Sequence, residues 1–339
     1  MKNKILSTLI ALTILTTGIF TGCGANGESS VKSTADNQTA KTDDLNKATG
    51  IRIGDLQYYF PVKVAEKKGF FEEEFGKDFK IEVSNFSNGP AVMEAFTAGE
   101  IDFASLGDMP TVQAKANNDK VKVISLLWNS PKGYTLVAGN NSGITKLEDI
   151  KGKRIAITVG TNPHKLYLKY LKKLGYTQDQ VELVNLQSKD ALSALVSGHV
   201  DATILTEPTA TEVINNGEAK AIVTSEGYDK VLTVIVGNSD YLKANPDITK
   251  RFLKVIDKAN KWAEANPEEA IALVSEYTNV PKESIEVYYN TRKFEVSLNQ
   301  ELRDALADTI EFTLEQGTIT EKIDVNDLID DSFVKALGK

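Results

Sequence analysis

From residue 50 onward, apolar and polar positions alternate in blocks of two kinds. Short runs that are alternating or wholly apolar predict strands: IRIGDL, FKIEVSNF, IDFASL and VKVISLLWN. Between them lie helical stretches. VKVAEKKGFFEEEFG contains a glycine break, GPAVMEAFTAG has Pro in its first turn and Gly at its end, and GDMPTVQAKANN follows. After YTLVAGNN a second series begins: RIAITV, TNPHKLYLKYLKKLG, VELVNL, DALSALVSG, DATILT, PTATEVINNG and AKAIVTS. In TNPHKLYLKYLKKLG, Leu166, Tyr167, Tyr170, Leu171 and Leu174 fall at helical spacing, and Gly175 caps the end. LTVIVGN, residues 232–238, is one more strand, and the chain beyond it reads as almost all helical. Strands alternating with helices predict βαβ units, an α/β class and mostly parallel sheets. Two such series predict two lobes, with residues 137–231 inserted into a lobe made of 49–136 and 232–339. The strands at 133–138 and 232–238 are the expected crossovers, and two crossing strands make a hinge.

One turn is written twice. AGEIDFASLGDMPT (98–111) and SGHVDATILTEPT (197–209) both run small–Gly–x–aliphatic–Asp, then a short apolar run, a carboxylate and Pro-Thr. Parallel sheets place their ligand loops at the carboxyl ends of strands, where the next helix offers unpaired N–H groups and a partial positive charge. Gly107 and Asp108 in the first copy, and Thr206 and Glu207 in the second, are therefore expected to face one cleft. Asp108 and Glu207 have two compatible readings, as helix N-caps and as cleft walls. Asp102 and Asp201 read as structural, binding backbone at a strand start.

The N-terminus changes the picture of where the protein works. Lys2 and Lys4 precede the apolar run ILSTLIALTILTTGIF, the pattern of a secretory signal over residues 1–22. Phe20-Thr21-Gly22-Cys23 resembles the bacterial lipobox, so Cys23, the single cysteine, is the expected lipidation site, with a plain signal peptide as the alternative. Residues 23–48 are mostly Ser, Thr, Asn, Asp and Lys and predict a flexible tether. The net charge is −8, with a pI near 5.1, which argues against a nucleic-acid binder but not against a local anion site. With 41% hydrophobic residues, the body can build a core without disulfides.

Several stretches carry a family resemblance: GDLQYYFPVKVAEKKGFFEEEFG, SNGPAVMEAFTAGEIDFASLGDMPTVQA, ITKLEDIKGKRIAI, VGTNPHKLYLKYLKKLGYTQDQVELVNL and ALVSGHVDATILTEP. In this order they resemble substrate-binding proteins of bacterial ABC importers, of the sulfonate, nitrate and taurine type, which share their domain with binders of thiamine-pyrimidine precursors. The resemblance spans roughly residues 50–275. It implies a two-lobed periplasmic-binding-protein-like fold (type II), with mixed, mostly parallel sheets and flanking helices. It also implies capture of a small solute, delivery to an ABC permease and its ATPase, action as a monomer, and no cofactor. The site residues it implies are Gln57, Tyr58 and Tyr59; Ser87, Asn88 and Gly89; Gly107 and Asp108; Gly160, Thr161, Asn162 and His164; and Thr206 and Glu207. Where many sulfonate binders have Trp-Asp-Pro, this chain has Thr206-Glu207-Pro208, which removes an aromatic wall.

The residue chemistry is compatible with that family. Asn88-Gly89, Gly107-Asp108, Thr161-Asn162 and Thr206-Glu207 supply close backbone approach and neutral donors, enough for a small anion without a buried lysine or arginine. Tyr58, Tyr59, Phe60 and Trp128 offer an apolar wall for an organic tail, or simply core. An acidic pair facing an amine would favour taurine over a plain alkanesulfonate. His164 reads as a ligand donor or an ordinary first-turn residue, and His199 as a surface residue. Nitrate, bicarbonate and pyrimidine or aromatic solutes remain alternatives, as does a sensor or adhesion lipoprotein. An enzyme related to a pyrimidine-precursor synthase is the rival class. The sequence carries no nucleophile elbow, no metal-spaced His/Cys cluster and no Gly-rich phosphate loop.

Overall fold

The structure is a computed structural model that describes residues 48–56, 60–117 and 120–339. The expected signal segment, the tether up to residue 47, Cys23, Gln57, Tyr58 and Tyr59 lie outside the described residues. The first series is β1 (Gly50–Asp55), α1 (Phe60–Lys67), α2 (Phe70–Phe75), β2 (Lys80–Asn85), α3 (Gly89–Thr97), β3 (Phe103–Gly107), α4 (Asp108–Asn117) and β4 (Val121–Ser130). The break between α1 and α2 falls at Gly69, whose φ of 69° suits a residue without a side chain. The second series is β5 (Tyr134–Gly139), β6 (Arg154–Ile157), α5 (Asn162–Leu174), β7 (Glu182–Asn185), α6 (Ser188–Val196), β8 (Ala202–Thr206), α7 (Thr209–Asn215) and β9 (Ala219–Thr224). Then come β10 (Val231–Asn238), α8 (Ser239–Ala244), α9 (Pro246–Ala265), α10 (Pro267–Thr278), α11 (Lys282–Asn290), β11 (Lys293–Ser297), α12 (Gln300–Glu315), α13 (Val325–Leu328) and α14 (Ser332–Ala336).

The strands form two mixed sheets, ordered β11-β4-β10-β3-β1-β2 and β7-β6-β8-β5-β9. In the first, β1 is parallel to β2 and β3, while β10 runs antiparallel between β3 and β4. In the second, β6 is parallel to β7 and β8, while β5 runs antiparallel between β8 and β9. Two expectations change. The strand expected as a crossover at 133–138 is β5, wholly inside the second sheet, and the chain changes sheets in two turn segments, 131–133 and 225–230. Ser225 ties them together: its N–H donates to Tyr134 O at 2.9 Å and its hydroxyl to Pro131 O at 2.8 Å. The tail is also not wholly helical, because β11 adds an edge strand to β4. Five residues between helices carry too short a period to stand out, so this strand is made by its tertiary partner.

Strand alternation explains the core. In β10, Ile235 joins the cluster on one face of the first sheet, and Leu232, Val234 and Val236 the cluster on the other. In β6, Ile155 and Ile157 face one cluster and Ala156 the other. Both sheets are therefore covered on both faces, as parallel strands require. Phe312 of α12 packs into the second lobe's core with Tyr167 and Leu171, so this C-terminal helix braces both lobes.

The doubled turn has a doubled support. Asp102 accepts from Arg52 N at 2.9 Å and Arg52 Nη2 at 2.6 Å, while Arg52 Nη1 donates to Gly99 O. Asp201 accepts from Arg154 N at 2.8 Å and Arg154 Nη2 at 2.9 Å, while that Nη2 also donates to Gly198 O. In each copy the Asp before the strand holds both the backbone and the guanidinium of the neighbouring strand's first turn of chain, a fork geometry that suits Arg.

Candidate functional site

A cavity of about 410 Å³ lies between the two sheets, at the carboxyl ends of β2, β3, β6 and β8. Its polar wall includes the four expected loops, Ser87, Asn88 and Gly89; Gly107; Thr161 and Asn162; Thr206 and Glu207, and also Gln187, Ser188 and Lys189 at the start of α6, which were not expected. Its apolar wall includes Leu56, Leu127, Trp128, Tyr134, Leu192, Leu205 and Tyr288. Asp108, Gly160 and His164 do not line it.

Each polar group is held by its local fold. Asn88 caps α3, its Oδ1 accepting from Ala91 N at 2.9 Å, and its Nδ2 donates across to Gln187 Oε1 of the other lobe. Asn162, the first residue of α5, reaches into the first lobe: Oδ1 accepts from Met109 N at 3.1 Å and Nδ2 donates to Leu232 O at 3.4 Å. A Cβ on Gly107 would lie 2.5 Å from Asn162 Nδ2, so this close approach needs glycine. Glu207 satisfies both of its readings. It lines the cavity, and its Oε2 accepts from Thr211 N at 3.0 Å, capping α7.

Asp108 goes elsewhere. It is fully buried, and its Oδ2 accepts from Lys165 Nζ of α5 and from Thr309 Oγ1 of α12 at 2.5 Å. Lys165 also pairs with Asp229 at 3.0 Å, and Lys169 links Asp229 to Asp308, each at 2.8 Å. Burial disfavours the Lys165 ammonium, but Asp108 and Asp229 outweigh it and hold the pKa above its ordinary value. His164 is also turned from the cavity: its Nδ1 accepts from Gly160 N at 3.3 Å, and its ring stacks on Tyr167. Gly160, at φ 82°, instead faces Gln113 of the first lobe.

The residue that sequence reasoning missed is Arg292. The expected anion site had no buried Lys or Arg, yet the Arg292 guanidinium stands in the cavity wall, 8% exposed. It lies over the rings of Tyr288 at 3.7 Å and Trp128 at 4.6 Å. Nη1 donates to Tyr288 O at 2.9 Å and Thr291 Oγ1 at 3.1 Å, and Nη2 donates to Thr206 Oγ1 at 3.1 Å. Among the described residues Nε has no partner. Burial lowers its pKa from the ordinary value, but a guanidinium stays charged in proteins. Arg292 lies in the tail, beyond the recognised stretches. The one signal in the sequence is its setting, YYNTRKF, an arginine among aromatic residues after a helix.

Two α/β lobes meeting over a cavity at their strand ends define the architecture of a two-lobed binding protein. The chain belongs to the NMT1/THI5-like family, whose model matches residues 57–270. A Bacillus subtilis (strain 168) protein named "Putative aliphatic sulfonates-binding protein" is 31% identical, covering 94% of this chain and 92% of that protein. The taurine-binding periplasmic protein of Escherichia coli (strain K12) is 26% identical, covering 76% and 84%. Among solved structures, the alkanesulfonate-binding protein SsuA from Xanthomonas axonopodis pv. citri, bound to MOPS, superposes with a TM-score of 0.79. The two are 22% identical, over 85% of this chain and 100% of that one.

Proposed function

We propose that this protein is the extracytoplasmic solute-binding component of an ABC importer and that its solute is an organosulfonate with an apolar body. Arg292 carries this reading. A charged guanidinium, clamped by two aromatic rings at the wall of a donor-rich cavity, selects an oxyanion head. The relatives named for aliphatic sulfonates and taurine support the class. Cavity size supports an apolar body. At ~30 Å³ per water-sized group, 410 Å³ takes roughly a dozen groups, more than a two-carbon aminosulfonate fills. Glu207 favours the second reading, taurine, since its carboxylate stands in the wall, although one oxygen already caps α7.

The solute is captured, not converted. Among the relatives is a pyrimidine phosphate synthase of Candida albicans, but the only cysteine of this chain is Cys23, the expected lipidation site at the start of the tether. Among the described residues no cluster of His, Cys, Asp or Glu suits a metal, and no helix is long and apolar enough to cross a membrane. Membrane attachment is assigned to an acylated Cys23. Cys23→Ser is expected to move the protein from the membrane to the soluble fraction, and retention would refute the anchor.

Thermal shift and calorimetry with alkanesulfonates, taurine, nitrate, aromatic acids and pyrimidines test the ligand. Linear alkanesulfonates are expected to raise the melting temperature most. Arg292→Met should weaken them about 10- to 100-fold, the worth of a charge-assisted hydrogen bond. A larger shift with taurine or nitrate, or an Arg292→Met protein that binds as well as the parent, would overturn the assignment.

A further inference from the structure

We propose that Lys165 of the second lobe is what lets the cavity accept an anion, because it cancels the carboxylate of Asp108 beneath the cavity floor. The inference rests on the anion reading above. Asp108 directly follows Gly107, which lines the cavity, and is wholly buried, with Oδ1 unpartnered among the described residues. A carboxylate there repels any anion in the cavity, since buried charges are poorly screened. Its field reaches the cavity wall. The lining residue Tyr134 is pushed up in pKa by burial first and by Asp108 next, while Arg292 and Lys165 pull the other way.

Among the described residues the first lobe supplies no ion-pair partner for this carboxylate. Its other partner, Thr309 of α12, is neutral. Lys165 comes from α5, one turn beyond Asn162, which lines the cavity, so one lobe-two helix delivers a neutral donor to the solute and a counter-charge to the floor. Asp229, the second carboxylate on Lys165, has Lys169 as well. Among the described residues Asp108 has Lys165 as its one cationic partner. The pair is thus more than a buried tie between lobes, which would be of little net worth to stability. It makes the floor electrically neutral only where the two lobes meet.

The test compares an anion with a neutral isostere. Hexanesulfonate and hexanesulfonamide are titrated calorimetrically into the parent protein, Asp108→Asn, Lys165→Met and the double variant. Lys165→Met is expected to weaken hexanesulfonate roughly 10- to 100-fold and the sulfonamide little, and adding Asp108→Asn should restore most of the loss. Asp108→Asn alone, which keeps shape and leaves Lys165 paired with Asp229, should tighten hexanesulfonate severalfold and leave the sulfonamide unchanged. If the parent binds the anion and Asp108→Asn changes neither ligand, or the double variant stays as weak as Lys165→Met, this inference is wrong and the anion reading stands. If the parent takes the sulfonamide and no anion, both fall.

Discussion

At the scale of single residues, His164 shows how a plausible ligand becomes a structural acceptor. Its Nδ1 accepts from Gly160 N, so the ring is neutral with its proton on Nε2. Burial lowers its pKa from the ordinary value. The sign follows from linkage. The folded state prefers the neutral ring, so this contribution is complete above about pH 6.5, the unfolded value, and is lost as pH falls through the lowered folded value. Protonation also removes the acceptor that holds the Gly160 amide. The melting temperature of the parent should therefore begin to fall just below pH 6.5, before carboxylates titrate. His164→Gln, which cannot charge, should stay level until the carboxylate range. Coincident profiles for the two proteins would show that His164 does not carry this acid sensitivity.

At the scale of elements, what could be read was what local pattern decides. The strand-to-helix turns at Asn88, Gly107, Asn162 and Thr206 were legible because Gly, Asn, Thr and Pro at the end of an apolar run have few other uses. The structure gathers these turns on one cavity. Asp102 and Asp201 were legible as backbone-binding groups, but not their Arg52 and Arg154 partners, which lie 50 and 47 positions away. The fate of Asp108 could not be read. Cap, cleft wall and ion pair look alike until Lys165, 57 positions on, is placed beside it. Arg292 was illegible for a further reason: it reaches the cavity only because α11 and β11 bring the tail back across β4, and β11 itself has no pattern apart from that pairing. The recognised stretches thus hold most of the neutral donors of the candidate site, and the tail holds its buried guanidinium.

At the scale of the whole molecule, the lobes meet unequally on two sides of the cavity. On one side α5 lies on α12 along a charged stripe, with Lys169 on Asp308 and Lys172 on Glu315, and Phe312 is buried in the second lobe's core. On the other side Asn88 Nδ2 meets Gln187 Oε1 between exposed groups. If the broad side stays packed while the narrow side opens, the Asn88–Gln187 contact is a rim that parts as solute leaves. Exposed neutral hydrogen bonds contribute about 0.5–1.5 kcal/mol, which corresponds to roughly a 2- to 13-fold change in rate. Gln187→Ala should raise the dissociation rate of a bound alkanesulfonate by that factor, with little change in association rate or unfolding midpoint. Gln187 also lines the cavity, so a lost solute contact must be told from a lost rim. Asn88 lines it too, so only the coupling of two substitutions does this: Asn88→Ser still caps α3 but cannot span to Gln187. If the rim is the cause, Asn88→Ser speeds release in the parent and adds nothing in the Gln187→Ala background. Additive effects of the two substitutions in stopped-flow release would assign Gln187 to the solute instead, and would place the opening edge of the cleft elsewhere.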